Sequence, residues 1–415
     1  MKNKSDRKTA GIVLAACIFF NVSIGVLYAW SVISSRLTAP LHEGGWGWSS
    51  SQAGLPYTVA IIVFATAMLI GGRIQDKIGP RNVVTAGGFL SGFGVLLSGI
   101  IGNSVIGITL CFGVIAAIGM GFGYGCVTPP ALKWFHSSKK GLISGLIVGG
   151  FGLSAVYYAP LTSALLDNFG IGSTFLYLGL GILIISIFFA RLIKNPTKDY
   201  APDEPIKIKQ KSVKATPEVD YTVKEMLKTK CFYMMFVLLV LGASVGLMII
   251  GNISRIAQTQ IGITDATTLA MLVSLLAITN TVGRVIGGMM SDRIGRINSL
   301  YVVLILYTLN MAAFAFYSSL LMLIIGIIGI GFCFGALMSV FPALTADQYG
   351  LKNLGANYGI MFMAWGLAGV VAPVFAGYIY DVNGNFYMTY IICTVMMAAM
   401  IFVNYFIQRE IVKQG

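Results

Sequence analysis

Apolar positions along this chain gather into long runs separated by short polar stretches. Twelve such runs follow one another, at residues 10–35, 52–72, 82–101, 105–132, 140–167, 172–193, 231–257, 266–290, 298–317, 320–346, 354–380 and 385–408. Each is roughly 20 to 28 residues long, enough at about 1.5 Å of rise per residue to cross about 30 Å of hydrocarbon, so each predicts a membrane-spanning helix. The first run follows the polar stretch MKNKSDRKTA and keeps Tyr28 and Trp30. It is too long for the apolar core of a secretion signal and reads as helix 1, retained. One long polar stretch, 194–230, mixes prolines with charges of both signs and reads as a linker. The expectation is an all-α membrane protein: an N-terminal six-helix bundle (1–193), a cytoplasmic linker (194–230) and a C-terminal six-helix bundle (231–415).

Comparison of the two halves exposes a repeat. After helix 2 stands GGRIQDKIGPR, with Gly72, Asp76, Lys77, Gly79 and Arg81; after helix 8 stands GGMMSDRIGR, with Gly288, Asp292, Arg293, Gly295 and Arg296, at an offset of 216 residues. Gly141, Gly145, Gly152 and Asp167 of helix 5 return in helix 11 as Gly355, Gly359, Gly366 and Asp381, all at an offset of 214. The halves are predicted to be parallel structural repeats. Twelve helices, a central linker and the signature G-x-x-x-D-[RK]-x-G-x-[RK] resemble the major facilitator superfamily, and the second copy departs from it because Arg296 follows Gly295 directly. The residue types fit a gate: glycines allow close helix approach, while Asp and basic residues can pair across a cytoplasmic contact that breaks as the halves tilt. A short loop with snorkelling charges would account for one copy but not for two at half-chain spacing.

Composition and charge then fix class and orientation. Of the residues, 57% are hydrophobic and 10% charged, where a soluble chain would carry about a quarter. With the N-terminus in the cytoplasm, 25 of the 28 Lys and Arg fall on the cytoplasmic side, only Arg36 and Arg255 on the other, and Arg284 within a span. The positive-inside rule therefore puts both termini in the cytoplasm and the protein in the inner (cytoplasmic) membrane. The net charge of +13 is met by anionic lipids of that leaflet, with no nucleic acid as partner. None of the six cysteines has a ligand-like neighbour at close spacing, so no metal is expected; no cofactor is expected either. Without a nucleotide-binding motif or a nucleophile–base pair, the chain reads as neither an ATP-driven pump nor an enzyme.

Arg284 is the exception that carries chemistry. It lies eight residues before Asp292 in the run AITNTVGRVIGGMMSD, about 12 Å along a helix and close to the midplane. Such a charge costs about 2.5–3.5 kcal/mol to insert, so it should face a polar cavity and find a counter-charge. The fifteen Asp and Glu residues lie in loops or at helix ends and offer none. The inference is an anionic substrate whose carboxylate fits the guanidinium fork, with Asn280 one turn earlier as a second contact. The competing reading is an arginine that snorkels to the headgroups. Tyr28 in helix 1, Tyr124 in helix 4 and Trp365 in helix 11 each fit either cavity lining or ordinary packing.

Six segments, LYAWSV (27–32), GWSSSQ (47–52), GGRIQDKIGPR (71–81), KWFHSSKKGLISG (133–145), YTVKEMLKTKCFY (221–233) and NLGANYGIMFMAWGLAG (353–369), together resemble the oxalate/formate antiporter family, relatives of the monocarboxylate transporters. The resemblance covers essentially the whole chain. It implies Arg284, Asn280 and Tyr124 as substrate contacts. It also implies two departures. Family members that exchange oxalate carry a lysine in helix 11 where this chain has Trp365, and animal monocarboxylate transporters place a proton-binding aspartate where this chain has Asn280. One cation balances one negative charge. The leading expectation is a secondary transporter of a monocarboxylate such as formate, lactate, pyruvate or acetate, with protons or a counter-transported anion as possible coupling partners. An oxalate/formate or other dicarboxylate exchanger is the alternative, and a non-transporting carboxylate sensor a remote one.

Overall fold

The computed structural model describes residues 4–197, 200 and 220–413. The core of the expected linker, 201–219, lies outside the described residues. Eleven helical runs of membrane length are present among the described residues. One of them, Lys140–Ala190, breaks at Gly170 (φ 73°, ψ 178°) into α5 (140–169) and α6 (171–190), which makes twelve helices. The others are α1 (Asp6–Thr38), α2 (Ser50–Ile78), α3 (Pro80–Ile101), α4 (Val105–Trp134), α7 (Lys230–Ile261), α8 (Ala266–Ile294), α9 (Arg296–Phe314), α10 (Leu320–Tyr349), α11 (Leu354–Asn383) and α12 (Tyr387–Lys413). No strand occurs among the described residues. Large apolar side chains such as Ile184, Phe188, Val395 and Phe402 remain exposed, as they must on a surface that faces lipid rather than water.

The helices overrun the apolar windows at one end, and this corrects the place given to the repeated motif. Asp76 and Asp292 sit in the last turns of α2 and α8, not in loops. The link to the next helix is a single glycine in each repeat, Gly79 (φ 89°, ψ 163°) and Gly295 (φ 89°, ψ 157°). A side chain at that φ would be strained, so the motif's second glycine is a backbone requirement. Pro80 then starts α3, where its fixed φ and missing N–H cost nothing. Arg296 occupies the same position in α9.

By packing, the chain forms two compact units that do not follow the halves of the sequence. One contains Met1–Phe135, Gly150–Pro202 and Leu354–Phe362; the other contains His136–Gly149, Asp203–Asn353 and Met363–Gly415. In the first unit the start of α11 lies on α2 so closely that a Cβ on Gly72 would overlap the Gly355 carbonyl. In the second unit the start of α5 lies on α8, and a Cβ on Gly288 would overlap the Gly141 carbonyl. The repeated glycines of helices 2, 5, 8 and 11 thus serve backbone-to-backbone contact.

Candidate functional site

Arg284 is buried in the second unit, with 3% of its surface exposed. Its Nε donates to Asn280 Oδ1 at 3.2 Å, one turn back on α8, and its Nη1 donates to the backbone carbonyl of Val148 on α5 at 2.5 Å. The guanidinium therefore does not snorkel. Among the described residues no carboxylate pairs with it, and both of its acceptors are neutral. The neighbouring Thr281 hydroxyl donates to the Ala277 carbonyl of its own helix. Glycines on the neighbouring helices make the approach possible. A Cβ on Gly145 of α5 would overlap the Arg284 carbonyl oxygen, and one on Gly335 of α10 would overlap that of Asn280.

The first unit holds an aromatic cluster. Tyr124 of α4 has ring centroids at 4.9 Å from Phe151, 5.2 Å from Phe362 and 5.6 Å from Phe64, while Tyr28 lies 5.5 Å from Phe151. Tyr28 sits on a 3-10 turn, Val26–Ala29, that interrupts α1. Tyr28 and Tyr124 are thus brought together, and Arg284 and Asn280 are brought together; Trp365 is half-buried on α11 in the unit that holds Arg284. Phe64 and Phe151 were not singled out from the sequence. Their only signal is one aromatic among glycines and alanines, as in VGGFG, a pattern shared with ordinary packing. Phe334 is interior: a Cβ on Gly246 would overlap its ring.

Each repeated aspartate holds the start of another helix by its main-chain N–H groups. Gly141 and Leu142 N–H donate to the two oxygens of Asp292 at 2.8 and 2.7 Å. The Ala356 N–H donates to Asp76 Oδ2 at 3.0 Å. A carboxylate at a helix N-terminus meets unpaired donors and the positive end of the helix dipole. Around Asp292 a buried network has grown. Arg296 Nη1 donates to Asp292 Oδ1 (2.6 Å) and Ser291 Oγ (2.7 Å), Arg296 Nε donates to Asp347 Oδ2 (2.9 Å), and Lys140 Nζ donates to Asp347 Oδ1 (2.9 Å). Lys140 is only 2% exposed. Neither it nor Asp347 had been expected. The expected basic partners Lys77, Arg81 and Arg293 instead lie exposed and form no ion pair among the described residues. Lys77 and Arg293 follow the aspartates directly and Arg81 follows Pro80, so about 100° of helix turns each of them outward.

Twelve membrane-length helices, a repeated aspartate latch and a buried cation define a multi-pass transporter. The chain belongs to the Major Facilitator Superfamily, which it matches over residues 11–335 and 265–414. It is 28% identical over 371 residues to the uncharacterized MFS-type transporter YhjX of Escherichia coli (strain K12), covering 89% of this chain and 88% of that one. It is 28% identical over 366 residues to the oxalate:formate antiporter of Oxalobacter formigenes, at 86% and 82% coverage, and 25% identical over 391 residues to monocarboxylate transporter 13 of Rattus norvegicus, at 94% and 86%. Among solved structures, the transporter FucP in the outward conformation superposes with a TM-score of 0.70 at 17% identity, covering 96% of this chain and 99% of that one. The family and its neighbours are transporters, not enzymes.

Proposed function

We propose that this protein is a secondary active transporter that moves a small monocarboxylate, such as formate, lactate, pyruvate or acetate, across the cytoplasmic membrane by alternating access. Both termini are cytoplasmic, and the halves 1–193 and 231–415 are the bodies that move. The observation that carries the proposal is Arg284: a buried cation whose only acceptors among the described residues are an amide oxygen and a peptide carbonyl. A carboxylate would supply the missing charge and the bidentate geometry that a guanidinium favours. Asn280 is its second contact and Trp365 the residue that withholds a second cation, while Tyr28 and Tyr124 belong to the aromatic cluster of the first unit. The latches at Gly72, Asp76 and Gly79 and at Gly288, Asp292, Gly295 and Arg296 act on conformational exchange. The oxalate:formate antiporter among the relatives supports a second reading, dicarboxylate exchange. A dianion facing one arginine would keep part of its charge uncompensated.

Uptake of radiolabelled formate, acetate, lactate, pyruvate and oxalate into proteoliposomes decides between these readings. Arg284→Ala should abolish uptake, and Arg284→Lys should fail nearly as badly because a point charge cannot reproduce the fork. Both variants should fold: Arg284→Ala loses an unpaired intramembrane charge, which relieves a cost, and Arg284→Lys keeps a charge that the parent already carries there. Uptake like that of the parent by Arg284→Ala would sink the assignment. Cysteines placed at 200–215 should react with an impermeant thiol reagent from the cytoplasmic side, and one at Gly44 from outside.

A further inference from the structure

The bond from Arg284 to Val148 joins the proposed substrate group to a helix that the substrate need not touch. Val148 is one residue short of the point where α5 changes packing unit, since 136–149 belongs to the unit of α8 and 150 onward to the other. Along 136–149 the ties to the rest of the second unit form a series. Lys140 pairs with Asp347, Gly141 and Leu142 N–H donate to Asp292, Ser144 Oγ donates to the Ser339 carbonyl at 3.1 Å, and Val148 accepts from Arg284. Arg284 makes the tie farthest along the stretch, next to Gly149 and Gly150. It is also the only one of these donors that the proposed function assigns to a ligand.

The guanidinium has two edges on which a carboxylate can seat with two hydrogen bonds, Nε with Nη2 and Nη1 with Nη2. Each edge includes one nitrogen already engaged, Nε by Asn280 and Nη1 by Val148. A carboxylate on the first edge displaces Asn280 from the single N–H of Nε; one on the second shares Nη1 with Val148, whose bond takes one of that nitrogen's two N–H groups. Asn280 sits one turn away on the same helix and travels with Arg284, so losing its bond moves nothing. Val148 sits on a different helix. Its carbonyl is neutral, and an ionised carboxylate is the stronger acceptor for a buried cation.

We infer that the Val148 backbone carbonyl is the resting ligand of Arg284, that a substrate carboxylate displaces it, and that the displacement frees the 136–149 stretch of α5 from α8. The empty protein stays tied and the anion-loaded one reorients. This rests on Arg284 as the carboxylate site, and it adds that Arg284 senses occupancy as well as providing affinity. With no carboxylate paired to Arg284 among the described residues, a proton has no group there on which to replace the anion, so the return step also needs an anion.

The test uses the full chain in proteoliposomes preloaded with a radiolabelled carboxylate from the panel above. Efflux into medium containing the same unlabelled anion is compared with efflux into anion-free medium. Exchange should exceed net efflux by roughly ten- to hundredfold, the factor set by one hydrogen bond from a charged donor. Replacing the peptide link between Val148 and Gly149 by an ester, with glycolic acid at 149, turns the Val148 carbonyl into a weaker acceptor without touching a side chain. That variant should bring net efflux toward the exchange rate. Net efflux equal to exchange in the parent, or a ratio unchanged by the ester, overturns the inference while leaving carboxylate transport standing. If none of the five anions exchanges or raises the thermal stability of the purified protein, the carboxylate site itself falls, and this inference with it.

Discussion

The two copies of the aspartate latch began as one motif and are not equivalent. Asp292 is held by two main-chain N–H groups and by Arg296, inside a cluster of two cations and two anions that leaves its carboxylate oxygens satisfied. Asp76 receives the Ala356 N–H on one oxygen, while its buried Oδ1 meets no well-aligned donor among the described residues. The difference traces to one residue of register. Where the first repeat has Gly79, Pro80 and then an exposed Arg81, the second has Gly295 followed at once by Arg296, and about 100° of helix turns that side chain inward onto Asp292. The apparent defect in the second copy of the signature is thus the source of the stronger latch. Removing one partner of a buried ion pair costs far more than removing one ordinary hydrogen bond.

The largest effect should come from Asp292→Asn, which leaves Arg296 and Lys140 buried around the single carboxylate of Asp347. We expect a loss of about 3 kcal/mol or more in the stability of the purified protein. Uptake should fall while affinity, read from the substrate-induced thermal shift, changes little. Asp76→Asn should cost about 1 kcal/mol. Equal losses at the two aspartates would erase the comparison. Next in size is Pro80→Arg, which gives the first repeat the register of the second. The new cation should pair with Asp76, raise thermal stability and slow uptake severalfold, and a variant that transports faster would refute the register argument. Smallest is Lys140→Met. Arg296 still satisfies Asp347 there, so the loss should stay below about 1 kcal/mol, measured by thermal unfolding in detergent.

Much of this was legible because hydrophobic runs and repeated short motifs are local in sequence. The twelve helices follow from run length, and Arg284 with Asn280 follows from four-residue spacing. The unread parts are those in which one partner carries no side-chain signature. The acceptor for Arg284 is the peptide carbonyl of Val148, and the donors to Asp292 and Asp76 are peptide N–H groups of Gly141, Leu142 and Ala356. The pairing of Lys140 with Asp347 spans 207 residues and obeys no short-range rule. Helix ends were misjudged for a related reason. A window that measures apolarity stops at Gly72, although the polar turn that carries Asp76 continues the same helix to Ile78.

The single-glycine joints have a mechanical consequence. A connection of one residue at φ 89° in both repeats leaves little slack, so α2 with α3, and α8 with α9, each meet at a tight corner. A displacement of the carboxylate at the corner has only one residue of backbone between it and the next helix, with no loop to absorb it. An alanine at Gly79 or Gly295 would strain that corner by about 1–3 kcal/mol. An added residue would do the opposite, letting the latch open and close without moving anything beyond it.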